Sequence, residues 1–214
     1  MAIAEKQINM TAAVLCGGRS RRFGSPKEWL DFNGRPLLAH VVHTVRPLFS
    51  HVLAVGLRPD APHLPADVEP VADTLPGAGP LNGIVAALRA SKTEHTFFFA
   101  CDTPLIRPAL VRAMQAQAAG AHAVVPRSGP HFQPLFAIYA RSCLPIAEKQ
   151  LAAGRLKISD MYPLLTLRII DEHQQRLHDH DLLSFFNINT TQDYERALEL
   201  LHPGRTPLSS PAAD

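Results

Sequence analysis

Long apolar runs are missing from this chain: none approaches the roughly 20 residues that a helix needs to cross a bilayer. The first ten residues carry Glu5 and Lys6 and have no signal-peptide apolar core, so a soluble, cytoplasmic protein is expected. Cysteine is scarce: Cys16, Cys101 and Cys143 are odd in number, far apart and without metal-ligand spacing. That excludes a disulfide framework, fits a reducing compartment and makes them small buried residues. An excess of one charge is also lacking, with 21 Lys and Arg against 19 Asp and Glu. A broad basic surface for non-specific nucleic-acid binding is therefore excluded, and neither nucleic acid nor membrane is an expected partner. Internal repeats and separating linkers are absent too. The expectation is one domain over residues 1–202, followed by a disordered Pro- and Ser-rich tail, 203–214.

What is present is local. Arg19, Arg21, Arg22 and Lys27 stand within nine positions in "LCGGRSRRFGSPK", directly after an apolar run. Short apolar runs then alternate with helical periodicity. Strands are expected at Thr11–Cys16, His51–Gly56, Val68–Ala72, Thr96–Cys101, Ala121–Pro126, Leu135–Tyr139 and Thr166–Asp171. Between them, Leu38, Val41, Val42 and Val45 predict a helix ended by Pro47, and Leu81, Ile84, Val85 and Leu88 predict another. Further helices are expected at Pro108–Ala119, at Cys143–Ala153 and around Tyr194–Leu201, the last with Thr190 and Asp193 as a capping box. This β-then-α rhythm predicts an α/β fold with a mostly parallel sheet.

In such a sheet, ligands bind beyond the carboxyl ends of the strands, where the basic loop falls. Gly17 and Gly18 let the backbone approach a ligand, and successive N–H groups can cradle an anion. Arg22 and Lys27 add charge. The loop is neither a P-loop nor a dinucleotide fingerprint, because Lys27 lies between Pro26 and Glu28 and no GxGxxG is present. A solvated turn is the other reading. "FFFACDTPLI" places Asp102 where a buried strand emerges, either as a helix cap or as a ligand for a divalent cation. Phosphates, a cation and its carboxylate anchor together form a minimal kit for transfer at phosphorus. Eleven histidines suggest a metal site, but "HDHD", His178 to Asp181, lacks zinc-ligand spacing and reads as an exposed polar loop.

The basic loop resembles the LAGGxSxRMGxDK signature of nucleotidyltransferases. With "ADTLPGAGPLNGIVAAL", "CDTPLI" and "FNINTTQD" in that order, the chain from about Ala12 to Leu201 resembles the molybdenum cofactor guanylyltransferases. The resemblance implies a Rossmann-like three-layer α/β/α sandwich, GTP and Mg²⁺, and transfer of GMP to the terminal phosphate of molybdopterin with release of pyrophosphate. It implies that Leu15, Cys16, Gly17 and Gly18 lie along the nucleotide, with Arg22 and Lys27 on the triphosphate. Asp73 contacts the nucleotide, the segment Pro80-Leu81-Asn82-Gly83, with Pro80, Leu81 and Gly83 as its contacts, approaches the guanine, and Asp102 holds the magnesium. Arg155 and Lys157 fall where basic residues meet the pterin phosphate, or begin a solvated turn. Asn187 and Asn189, two apart on an extended segment, would turn both amides to the acceptor, or else cap the last helix. Donor and acceptor residues are then expected to separate on mutation. Other molybdenum cofactor proteins or target-enzyme chaperones are further partners the family allows.

Three residues depart from the pattern: Pro26 stands for Asp, Cys16 for Ala, and Val55 for an asparagine of some members. A cytidylyltransferase is the alternative within the class, and a non-catalytic nucleotide-binding protein is the alternative outside it. The phosphate acceptor is already ionised at neutral pH, so the lack of a His/Asp base pair in these motifs suits nucleotidyl transfer.

Overall fold

Thr11-Ala12-Ala13-Val14 has no side chain large enough to hold a neighbouring layer away, and all four residues are fully buried. They form the middle of β1 (Ile8–Leu15), an interior strand of the sheet with a parallel neighbour on either side. The computed structural model describes residues 8–17, 26–58, 60–61, 64–73, 75 and 78–202. The other strands are β2 (Phe49–Val55), β3 (Glu69–Val71), β4 (His95–Ala100), β5 (Ala123–Ser128), β6 (His131–Phe132), β7 (Ala137–Ala140) and β8 (Leu167–Ile170). They pair in the order β3-β2-β1-β4-β7-β5-β6, with β8 also on β5. β1 runs parallel to β2 and β4, β2 parallel to β3, and β5 parallel to β8. β7 is antiparallel to both its neighbours, and β6 closes a hairpin on β5.

The triple phenylalanine of β4 shows how the layers form. Alternation sends Phe97 and Phe99 to one face and Phe98 to the other. Phe97 and Phe99 stack with centroids 4.4 Å apart and meet Phe49 and Phe136 edge to face. Phe98 meets Tyr139 on the opposite face. Each wholly buried ring contributes about 1.5–3 kcal/mol relative to exposure. The first face carries α1 (Leu37–Val45) and α3 (Pro108–Gln115), through Leu38, Val41, Val45, Leu110 and Met114. The second carries α2 (Pro80–Ala90) and α4 (Leu144–Ala152), through Leu81, Ile84, Leu88 and Ala147. The expected three-layer α/β/α sandwich is therefore the fold. Helices α2, α3 and α4 each open on a proline in the first turn, where its missing N–H costs nothing. No helix among the described residues is long and apolar enough to cross a membrane.

Several expectations need correction. The third helix stops at Gln115 rather than Ala119, and Gly120 follows with φ of 73°. Thr166–Asp171 is not all strand: Asp171 accepts from the Gln174 N–H and caps α5 (Glu172–Arg176), a polar helix with no apolar period to betray it. The tetrad His178–Asp181 is not wholly an exposed loop. Asp179 is buried and accepts from the N–H groups of Leu183 and Ser184, satisfying a 3-10 turn over Leu183–Phe185. Conversely, α6 (Thr191–Leu201) has the expected capping box of Thr190 and Asp193. All three cysteines are buried and free, as expected. The proposed tail, 203–214, lies outside the described residues.

Candidate active site

The chain leaves β1 towards β2 on one side and returns to β4 on the other, with α1 and α2 on opposite faces. This reversal opens a crevice at the carboxyl end of β1. The rim is one residue deeper than the strands. Cys16 N–H donates to Val55 O at 2.7 Å, Gly56 N–H to Val71 O at 2.8 Å, and Cys101 N–H to Leu15 O at 3.0 Å. Gly56 has φ of 89°, and a Cβ there would lie 2.3 Å from the Cys16 carbonyl oxygen. Gly56→Ala should therefore lose about 1–3 kcal/mol in stability, read from the denaturant midpoint. Gly17 also has a positive φ, 90°, with open space where a side chain would stand. Helix α2 comes close to β1 at Gly83, whose Cβ would meet the Leu15 side chain at 3.0 Å.

Lys27 opens a 3-10 turn, Lys27–Trp29, which sequence periodicity is too short to reveal. Its ammonium donates to Asp102 Oδ2 at 3.2 Å, to the Ile188 carbonyl at 2.7 Å and to Asn189 Oδ1 at 2.9 Å. The Ile188 N–H in turn donates to the Asp102 carbonyl at 2.8 Å. Lys27 and Asp102 are 15% and 24% exposed, so their attraction is only partly screened by water. Asp193 supports this cluster from α6. Its carboxylate accepts from the N–H groups of Asn189 and Thr190 at 2.9 and 2.8 Å. The Asn189 N–H, then Thr190 and the Lys27 charge, hold its pKa below the ordinary range.

Some expected site residues gather here and others do not. Leu15, Cys16, Gly17, Lys27 and Asp102 meet at the strand ends, whereas Gly18 and Arg22 lie outside the described residues. Asp73 follows β3, and Gly56 adjoins its carboxylate, at 3.9 Å from Oδ2 to a Cβ built there. Desolvation raises its pKa, opposed by a hydrogen bond from the Asn82 side chain. Pro80 opens α2, while the Leu81 side chain is wholly buried in the core and offers a ligand only its backbone. The Cys16 thiol is pushed well up by the Cys101 thiol and by burial, which keeps it protonated.

The "FNIN" segment is not a strand, so its two amides diverge. Asn187 donates to the Phe185 carbonyl at 3.1 Å, whereas Asn189 reaches Lys27. The expectation that both amides face the same side is thereby corrected, and Asn189, assigned to the acceptor, is bonded to Lys27, assigned to the triphosphate. Arg155 bonds Gln150 at the end of α4, and Lys157 is exposed at the start of the 3-10 turn Ile158–Leu164. No hydrogen bond or ion pair joins either to Lys27, Asp102 or Asn189 among the described residues. Sequence reasoning missed the Ile188 carbonyl, a main-chain group with no signature, and saw Asp193 only as a cap. Among the described residues, no three His, Cys, Asp or Glu side chains cluster as metal ligands.

A lysine and a carboxylate at the switch point of an open, mostly parallel sheet, with left-handed glycines on the rim, define an α/β protein of the nucleotide-binding class. Residues 12–168 match the family model of the MobA-like NTP transferase domain, and the chain belongs to that family. It is 35% identical over 200 residues to a probable molybdenum cofactor guanylyltransferase of Pelotomaculum thermopropionicum, covering 93% of this chain and 97% of that protein. A molybdenum cofactor guanylyltransferase of Desulfosudis oleivorans is 34% identical, with 92% and 98% covered. Among solved structures, molybdopterin-guanine dinucleotide biosynthesis protein A of Archaeoglobus fulgidus matches with a TM-score of 0.75 at 29% identity, covering 90% of this chain and 98% of that one. A 2-C-methyl-D-erythritol 4-phosphate cytidylyltransferase of Thermus thermophilus, at TM-score 0.63 and 18% identity, shares the fold; 91% of this chain and 98% of that one are covered.

Proposed function

We propose that the protein transfers GMP from GTP to the terminal phosphate of molybdopterin, forming the guanine dinucleotide form of the cofactor and releasing pyrophosphate. The observation that carries this reading is the Lys27–Asp102 pair at the carboxyl ends of β1 and β4, beside the glycine rim. The guanylyltransferase names of relatives aligned over nine-tenths of the chain support the choice of nucleotide and acceptor.

Asp102 suits a divalent cation. It is a hard oxygen donor, partly exposed, that already faces a positive charge. Mg²⁺ is commonly held by one or two carboxylates together with substrate phosphates, so a single carboxylate is a fitting donor set. Bound there, the ion would neutralise charge developing on the triphosphate. The chain's own groups do the rest. Lys27, with Arg22 from the basic loop, would orient the triphosphate and stabilise the departing pyrophosphate, leaving the α-phosphorus open to in-line attack. Leu15, Cys16 and Gly17 would hold the nucleoside through backbone groups, with Asp73, Pro80 and Gly83 beside it. The C-terminal half, including Asn187, Asn189, Arg155 and Lys157, would receive the acceptor within the same single domain.

The test is pyrophosphate release from GTP, CTP or ATP with Mg²⁺ and molybdopterin, alongside calorimetric binding of each nucleotide. GTP is expected to bind most tightly and to be used fastest. Tighter binding and faster use of CTP would replace this reading with cytidylyl transfer, and binding without pyrophosphate release would replace it with a non-catalytic binder.

A further inference from the structure

Asn82 lies on the first turn of α2 and is 1% exposed, an unusual place for an amide in a helix otherwise buried through apolar side chains. A buried amide has a large desolvation cost unless its polar atoms are used. Its Oδ1 accepts from the N–H of Leu75 at 3.2 Å, and its backbone N–H donates to the Gly79 carbonyl at 3.2 Å. Asn82 thus ties the start of α2 to the chain leaving β3, where Asp73 stands beside Gly56. The side chain also acts on Asp73 itself, favouring the carboxylate that burial disfavours.

We infer that Asn82 is a positioning residue for the nucleotide. It fixes the segment at Leu75 and aims the Asp73 carboxylate at the hydrogen-bond donors of a purine nucleoside. The inference rests on the assignment of Asp73 to the nucleotide. Asn82 does not reach the ligand: its side chain is enclosed, and the exposed group it controls is the carboxylate. An apolar side chain at this buried position of α2 would neither accept from Leu75 nor act on Asp73. The amide oxygen holds the main chain two residues beyond Asp73, a role that no apolar side chain can take.

Three full-length variants test this, each assayed for GTP affinity by calorimetry, for KM and kcat with molybdopterin, and for thermal midpoint without nucleotide. Asn82→Ala should weaken GTP binding roughly tenfold, with kcat and the KM for molybdopterin within about threefold of the parent. Asn82→Asp keeps an acceptor for Leu75 but turns a second carboxylate towards Asp73, and should weaken GTP at least as much. This near-isosteric variant also decides the matter if the alanine variant fails to fold. Asp73→Asn should weaken GTP by a similar factor. If Asp73→Asn does so while folded Asn82→Ala and Asn82→Asp bind GTP within twofold of the parent, the role of Asn82 is overturned and that of Asp73 stands. If Asp73→Asn leaves GTP affinity unchanged, the nucleotide assignment of Asp73 falls and takes this inference with it. A loss confined to kcat, or spread equally over both substrates, would make Asn82 a purely structural residue.

Discussion

Asp102→Ala should lower the rate of pyrophosphate release by about 10²–10³, the usual consequence of removing an electrostatic contact to developing charge. Folding should be nearly untouched, with a thermal midpoint within a few degrees of the parent. The carboxylate is partly exposed, and its protein partner, Lys27, keeps two other acceptors in Ile188 and Asn189. The bond that ties this strand end to the C-terminal segment runs through the Asp102 carbonyl, which alanine retains. Activity within tenfold of the parent in a folded variant would remove Asp102 from the reaction.

Lys27→Ala should be comparably damaging, with turnover down about 10²-fold or more and a weaker affinity for GTP. It differs from the first variant in what it leaves behind. Asp102 Oδ2, the Ile188 carbonyl and Asn189 Oδ1 all lose a charged donor at once. Asn189→Ala is the informative companion, since it removes one acceptor of three from a residue at the surface. A drop of only a few-fold in GTP affinity is expected, about 1 kcal/mol or less, because exposed hydrogen bonds compete with water. Calorimetry with GTP and with molybdopterin on both variants separates the effects. If Asn189→Ala leaves GTP affinity within error but weakens molybdopterin, the amide belongs to the acceptor, and Asp102 and Ile188 alone hold the lysine in place.

The parts of this molecule that were legible in its sequence are those where hydrophobicity has a period. The apolar run before Gly17 and the phenylalanines of β4 announce buried strands, and the spacing of Leu81, Ile84, Val85 and Leu88 announces α2. The direction of β7 was not legible, because a strand reads alike in parallel and antiparallel pairing. Nor was α5, where Glu172–Arg176 is polar throughout and its cap, Asp171, follows directly on a strand. Asp179 was misread because a carboxylate between histidines looks solvated; only the fold reveals that two main-chain N–H groups need it. The site divides in the same way. Lys27 and Asp102 could be singled out by charge at strand ends. The route by which Asn189 reaches Lys27 depends on a chain reversal that no local pattern encodes.

The grip of Ile188 on both Asp102 and Lys27 bears on the order in which the protein matures. The ammonium is 75 positions from its carboxylate and 161 from the Ile188 carbonyl. Contacts so distant along the chain carry the largest loop-closure entropy and cannot form until nearly all of the polypeptide is made. A nascent chain that already has β1 through β4 would own the basic loop and the aspartate, yet leave the lysine without its two C-terminal acceptors. Completion of the reaction centre is in this way deferred to the docking of the last segment, so a truncated product ending before Ile188 would lack a finished site.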